Sequence, residues 1–98
     1  LEFEASVVEV QMLAGFSGSV IQTHFDPRWV VSVLITNSKN SGFPPGELVN
    51  LAIHSPTDTF DGEDPKGRKG SFSLLRTSVG GRVSYSRLKA SLPKHEKI

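Results

Sequence analysis

The stretch Glu47–His54 alternates without a break. Leu48, Asn50, Ala52 and His54 fall on one parity, and Val49, Leu51 and Ile53 on the other. Successive side chains of a strand point to opposite faces, so a period of two predicts a half-buried strand with Val49, Leu51 and Ile53 facing the core. Arg82–Arg87 repeats the pattern, with Val83 and Tyr85 opposite Arg82, Ser84 and Ser86, and Val83 is expected to point inward. No 3.6-residue period is sustained anywhere, and no helix of three or more turns is expected. The chain is therefore read as all-β.

Other strand signals fill out the plan. Phe3–Met12 and Ser71–Thr77 combine apolar and β-branched residues. Trp29–Thr36 is the strongest apolar run, and its alternation with Val31 and Val33 predicts a buried Trp29. Ser19–Phe25 is a further strand signal, interrupted by Asp26-Pro27-Arg28. Asn37–Gly46 consists largely of turn formers and contains two prolines, which cannot donate ladder hydrogen bonds. Residues 55–70 read as a long polar loop and Ser78–Gly81 as a tight turn. From Leu88 the pattern fits either a short helical turn or the last piece of a strand.

Five or six short strands in 98 residues predict one domain over residues 1–92, with 93–98 as a flexible tail. The expected form is a small antiparallel barrel, because closure removes exposed edges that Val-rich strands would otherwise offer to other chains. An immunoglobulin-like sandwich is the alternative, although it normally needs seven strands.

The order of these signals suits an OB-type barrel: a first strand, a long second strand bent at Asp26-Pro27, a third, a wide connection and a final hairpin. The stretch GELVNLAIHSPTDTF (residues 46–60), followed by Phe72, resembles small bacterial OB-fold-like β-barrel proteins of unassigned function. The resemblance implies a fold and brings no catalytic residues with it.

Composition enters through compartment and charge. No apolar run approaches the roughly 18–20 residues that span a bilayer, and no basic segment followed by an apolar one opens the sequence. With no cysteine, disulfides and thiolate zinc sites are excluded, and the cytoplasm is the expected compartment. The net charge of +1 conceals a division. Residues 1–65 hold nine acids and two bases, a net −7, whereas residues 66–98 hold nine bases and one acid, a net +8.

Several segments invite a chemical reading. His54 and Ser55 are adjacent, so strand geometry sends them to opposite faces, and no Gly-x-Ser-x-Gly elbow is present. The acids Asp58, Asp61, Glu63 and Asp64 do not follow a calcium-loop spacing. His24, His54 and His95 lack the short-range spacing of zinc ligands. Gly67-Arg68-Lys69-Gly70 does not match a phosphate-binding loop. No catalytic residue, metal or cofactor is assigned.

The expected function is a non-catalytic binding module that engages a protein or peptide through barrel loops. Single-stranded nucleic acid is the alternative partner, held by a basic stripe within residues 66–89; a hydrolase comes third. The candidate ligand-binding residues are the bases Arg68, Lys69, Arg76 and Arg82 and the loop aromatics Phe16, Phe43 and Phe60. Such a pairing of cations with stacking rings is what single-strand binding requires. No membrane association is expected.

Overall fold

The computed structural model describes residues 1–24, 26–60 and 64–92. Among the described residues six strands and one helical turn follow in order: β1 (Glu2–Met12), β2 (Ile21–Gln22), β3 (Trp29–Asn37), β4 (Leu48–Ile53), α1 (Pro56–Thr59), β5 (Lys69–Val79) and β6 (Arg82–Ser91). They form one sheet in the order β2-β4-β3-β1-β5-β6. The tail expected at 93–98 lies outside the described residues.

The all-β expectation holds, but the closed antiparallel barrel does not. Every pairing is antiparallel except β2 with β4, which is parallel. No ladder joins the two ends of the sheet. Its edges nevertheless approach each other: β2 and α1 both come within 8 Å of β6, Cα to Cα, without pairing with it. The sheet is thus curled and unclosed, and the edge of β6 is flanked by a short strand and a helical turn.

The segment expected to form one long bent strand is divided. Asp26 adopts a left-handed backbone, with φ 56°, and the chain turns there. Ile21 and Gln22 then pair with Leu51 and Ala52, whereas Trp29 onward pairs with β1 on one side and β4 on the other. The sequence near Leu88 continues as strand through Ser91.

The core is built on the inward parity. Phe3, Ala5 and Val7 of β1, Val31, Val33 and Ile35 of β3, and Val49, Leu51 and Ile53 of β4 are buried, as are Phe72 and Leu74 of β5. Phe3 and Phe72 stack across the β1–β5 ladder with centroids 5.4 Å apart and planes 5° from parallel. Trp29 is half-buried against this core rather than enclosed by it.

Part of the sheet is covered on its second face too. Val30 and Ser32 are buried, although they alternate with Val31 and Val33. Ser32 Oγ donates to Asn50 Oδ1 at 2.7 Å, and Asn50 Nδ2 donates to the Ser19 carbonyl at 3.1 Å. Those bonds tie the chain between β1 and β2 over the β3–β4 ladder. This continuous burial explains why the alternation is blurred in the sequence at Trp29–Ile35.

Candidate functional site

The inward parity of β5 buries Phe72 and Leu74, and burial then stops. Every residue from Leu75 to Ser84 is exposed. The β5–β6 hairpin therefore runs on past the core as a two-stranded ribbon. Its tip is a two-residue turn at Gly80-Gly81, with φ 58° and 80°, between the paired residues Val79 and Arg82. Positive φ at both central positions matches the right-handed twist of a hairpin, and glycine adopts it without steric cost. Near its base the ribbon carries a β-bulge. Ser73 pairs with Lys89 but Leu75 with Ser86, so β6 holds one extra residue, and Arg87 takes φ 55° there.

Register assigns the ribbon's faces, because residues directly opposite each other in an antiparallel pair share a face. Arg76 with Tyr85 and Ser78 with Val83 lie on the inner face, which continues from the core. Leu75 with Ser86, Thr77 with Ser84 and Val79 with Arg82 lie on the outer face. Val83, expected to point inward, does lie on the inner parity, and it is 41% exposed because the ribbon has left the core by that point. Leu75 and Val79 are 48% and 72% exposed.

The four candidate bases do not form one stripe. Arg68 is half-buried and donates to the Leu92 carbonyl, while its own backbone carbonyl accepts from Val7 N–H. It holds the end of β6 and the start of β5 against β1. Lys69 is exposed on the outer parity at the start of β5, about 23 Å along the strand from Arg76. Arg82 shares the outer face with Lys69, and Arg76 lies on the inner one.

The three candidate rings are likewise drawn elsewhere. Phe60 was expected on an exposed loop, but it is buried, since α1 folds it back edge-on to Phe72 at 6.5 Å. Phe43 is half-buried edge-on to Phe3 at 5.3 Å. Phe16 is half-buried in the turn after β1, where its N–H donates to the Leu13 carbonyl. The ring beside a ribbon base is instead half-buried Tyr85, cross-strand from Arg76. Only the register reveals that juxtaposition.

A cleft of about 650 Å³ lies between the body and the β6 arm of the ribbon, lined by Val20–His24 on one side and Val83–Ser86 on the other. Buried Thr23 organises its floor. Thr23 Oγ1 donates to the Ala52 carbonyl at 2.8 Å. The single hydroxyl proton is thereby used, so at 3.0 Å Thr23 Oγ1 accepts from His24 Nδ1. His24 thus carries its proton on Nδ1 and leaves Nε2 as an acceptor. Burial, and secondly the neighbouring His54, hold the His24 pKa below its ordinary value of 6.5. The sequence separates these two histidines by thirty positions, and spacing gave no sign of their proximity.

The remaining motifs are ordinary in geometry. Exposed His54 meets the Asp26 backbone carbonyl through Nδ1 at 3.2 Å. Ser55 occupies the N-cap of α1 without a side-chain capping bond. In the acidic loop, Asp61, Gly62 and Glu63 and the side chain of Asp58 lie outside the described residues; Asp64 accepts from Lys66 N–H at 3.1 Å. Among the described residues no three His, Asp or Glu side chains gather to hold a metal ion.

The ion pairs among the described residues are Arg28–Asp26, Lys39–Glu4 and Lys66–Glu9, all exposed. Lys69, Arg76, Arg82, Arg87 and Lys89 take part in none of them, and residues 69–92 contain no acid. Among the described residues no helix is long and apolar enough to cross a membrane. No family model, curated protein or solved structure matches this chain.

Proposed function

We propose that the chain is a non-catalytic interaction module whose contact surface is the projecting β5–β6 ribbon, and that its partner is another protein. The observation that carries this reading is the exposure of Leu75, Val79 and Val83 on a two-stranded ribbon that runs beyond the packed core, with Leu75 and Val79 on the face turned away from the body. An isolated hairpin is marginally stable in water. Arg76, Arg82 and Tyr85 are of the residue types enriched at protein interfaces, and the exposed aliphatic side chains add apolar area beside them. The contact surface therefore moves from the barrel loops to the hairpin. The body behind it is read as an OB-like scaffold, a fold that is only partly closed, and the curled, unclosed sheet supports that reading.

A second reading, single-stranded nucleic acid, draws on the Arg76–Tyr85 pair, which sets a cation beside a ring. It has less support, because Lys69 and Arg82 lie on the other face and Phe60 is buried.

Selection from a displayed library of random peptides tests the module. Retained peptides are expected to shift the backbone amide resonances of residues 75–86, and Val79→Ser is expected to abolish their binding. Retained peptides that map away from the ribbon, or none retained at all, would refute the reading.

A further inference from the structure

We infer that the partner presents carboxylates to both faces of the ribbon, so that it receives the ribbon in an acidic groove instead of meeting it across a flat surface. This inference rests on the ribbon being the contact surface. Arg76 and Arg82 stand on opposite faces of the same two strands, since one pairs with Tyr85 and the other with Val79. The apolar side chains divide the same way, Val83 inward and Leu75 and Val79 outward. A flat partner covering the outer face would leave Arg76 and Val83 in water. There is room on the inner side: the cleft between Val20–His24 and Val83–Ser86 separates the β6 arm of the ribbon from the body. Apposed acids also have no competitor within the hairpin, because residues 69–92 contain none. Complementary charge of this kind steers encounter and fixes orientation. Carboxylate is favoured over phosphate because the outer face of β5 and β6 carries Lys69, Arg82 and Lys89 among serines, Thr77 and the aliphatic Leu75 and Val79, with no ring on which a base would stack.

Poly-L-glutamate serves as the probe, with oligodeoxythymidine of matched charge as its competitor, both read by fluorescence anisotropy at ~50 mM salt and above. Poly-L-glutamate is expected to bind at low salt and to weaken as salt rises. Arg76→Gln and Arg82→Gln are each expected to reduce affinity by about two- to fivefold, and the double variant by roughly the product. Both positions are exposed, so circular dichroism should report unchanged folding. An effect of Arg82→Gln without one of Arg76→Gln would overturn the two-sided grip. Tighter binding of the oligonucleotide would replace the acidic protein by nucleic acid. If poly-L-glutamate does not bind while library peptides without acids do, and Val79→Ser abolishes that binding, the acidic groove falls and the interaction module stands. If neither binds, both fall.

Discussion

The carbonyl of Ser91 occupies the space in which Gly70 would carry a side chain. A β-carbon built on Gly70 would collide with that oxygen and crowd the Leu92 Cα. The end of β6 thus lies against the start of β5, next to the bond from Arg68 to Leu92. Gly70→Ala must displace backbone, and it is expected to destabilise the fold by about 1–3 kcal/mol in urea unfolding. An unchanged midpoint would place the end of β6 elsewhere.

Ile53 and Val83 offer a contrast between two residues read as inward-facing. Ile53 is fully buried, and Ile53→Ala is expected to cost about 2–5 kcal/mol. Val83 lies on the exposed ribbon, so Val83→Ala should fall within about 0.5 kcal/mol of the parent. Equal losses in chemical denaturation would contradict the place at which the ribbon leaves the core.

Phe60 acts on stability. Buried edge-on to Phe72, it is expected to lose about 3–5 kcal/mol on truncation to alanine. A variant as stable as the parent would return Phe60 to the surface and reopen its role as a contact ring.

Thr23→Val keeps the shape and removes the hydroxyl. The Ala52 carbonyl retains the Thr23 N–H at 3.1 Å, so the loss is expected to be modest, about 0.5–1.5 kcal/mol. His24 Nδ1 loses its acceptor in the same change. Its carbon-bound proton resonances should move in the NMR spectrum; unmoved resonances would contradict the assigned tautomer.

The depressed pKa of His24 sets the sign of a pH dependence. Above its ordinary value of 6.5 the ring is neutral in both folded and unfolded chains. As pH falls below 6.5 the unfolded chain takes up the proton first, so stability declines and levels off only below the folded pKa. Thermal melts at pH 7.5 and 5.5 should show a loss in the parent that is smaller in His24→Gln. Equal losses in the two proteins would assign the effect to other groups.

The sequence exposed the strands better than their arrangement. Alternation placed Val49, Leu51 and Ile53 on the core face, where they are buried, because one face of β4 dominates the pattern. It also located β3 to within one residue at its end. Parity put Val83 on the inner side, where it lies, but could not show that it is exposed there, since alternation tells which way a side chain points and not where the core ends. Phe60 was hidden by the single turn of α1, too short to leave a helical period. The parallel β2–β4 pairing involves only two residues of β2, too few for any pattern. Arg76 beside Tyr85, and His24 near His54, follow from register and from the turn at Asp26, which no local spacing encodes.

The position of β1 in the middle of the sheet has a consequence for the speed of folding. Its partners begin at Trp29 on one side and reach Ser73 on the other, and Leu1 donates through its terminal amine to the Leu74 carbonyl, 73 positions away. No neighbour of β1 comes from a tight local hairpin, so large loops must close before the central ladders form. Chains of such topology fold in milliseconds to seconds, roughly, instead of microseconds. Throughout that interval the Val-rich β1 has two unsatisfied edges, and intermolecular pairing competes with the native one. Refolding yield should therefore fall steeply as protein concentration rises.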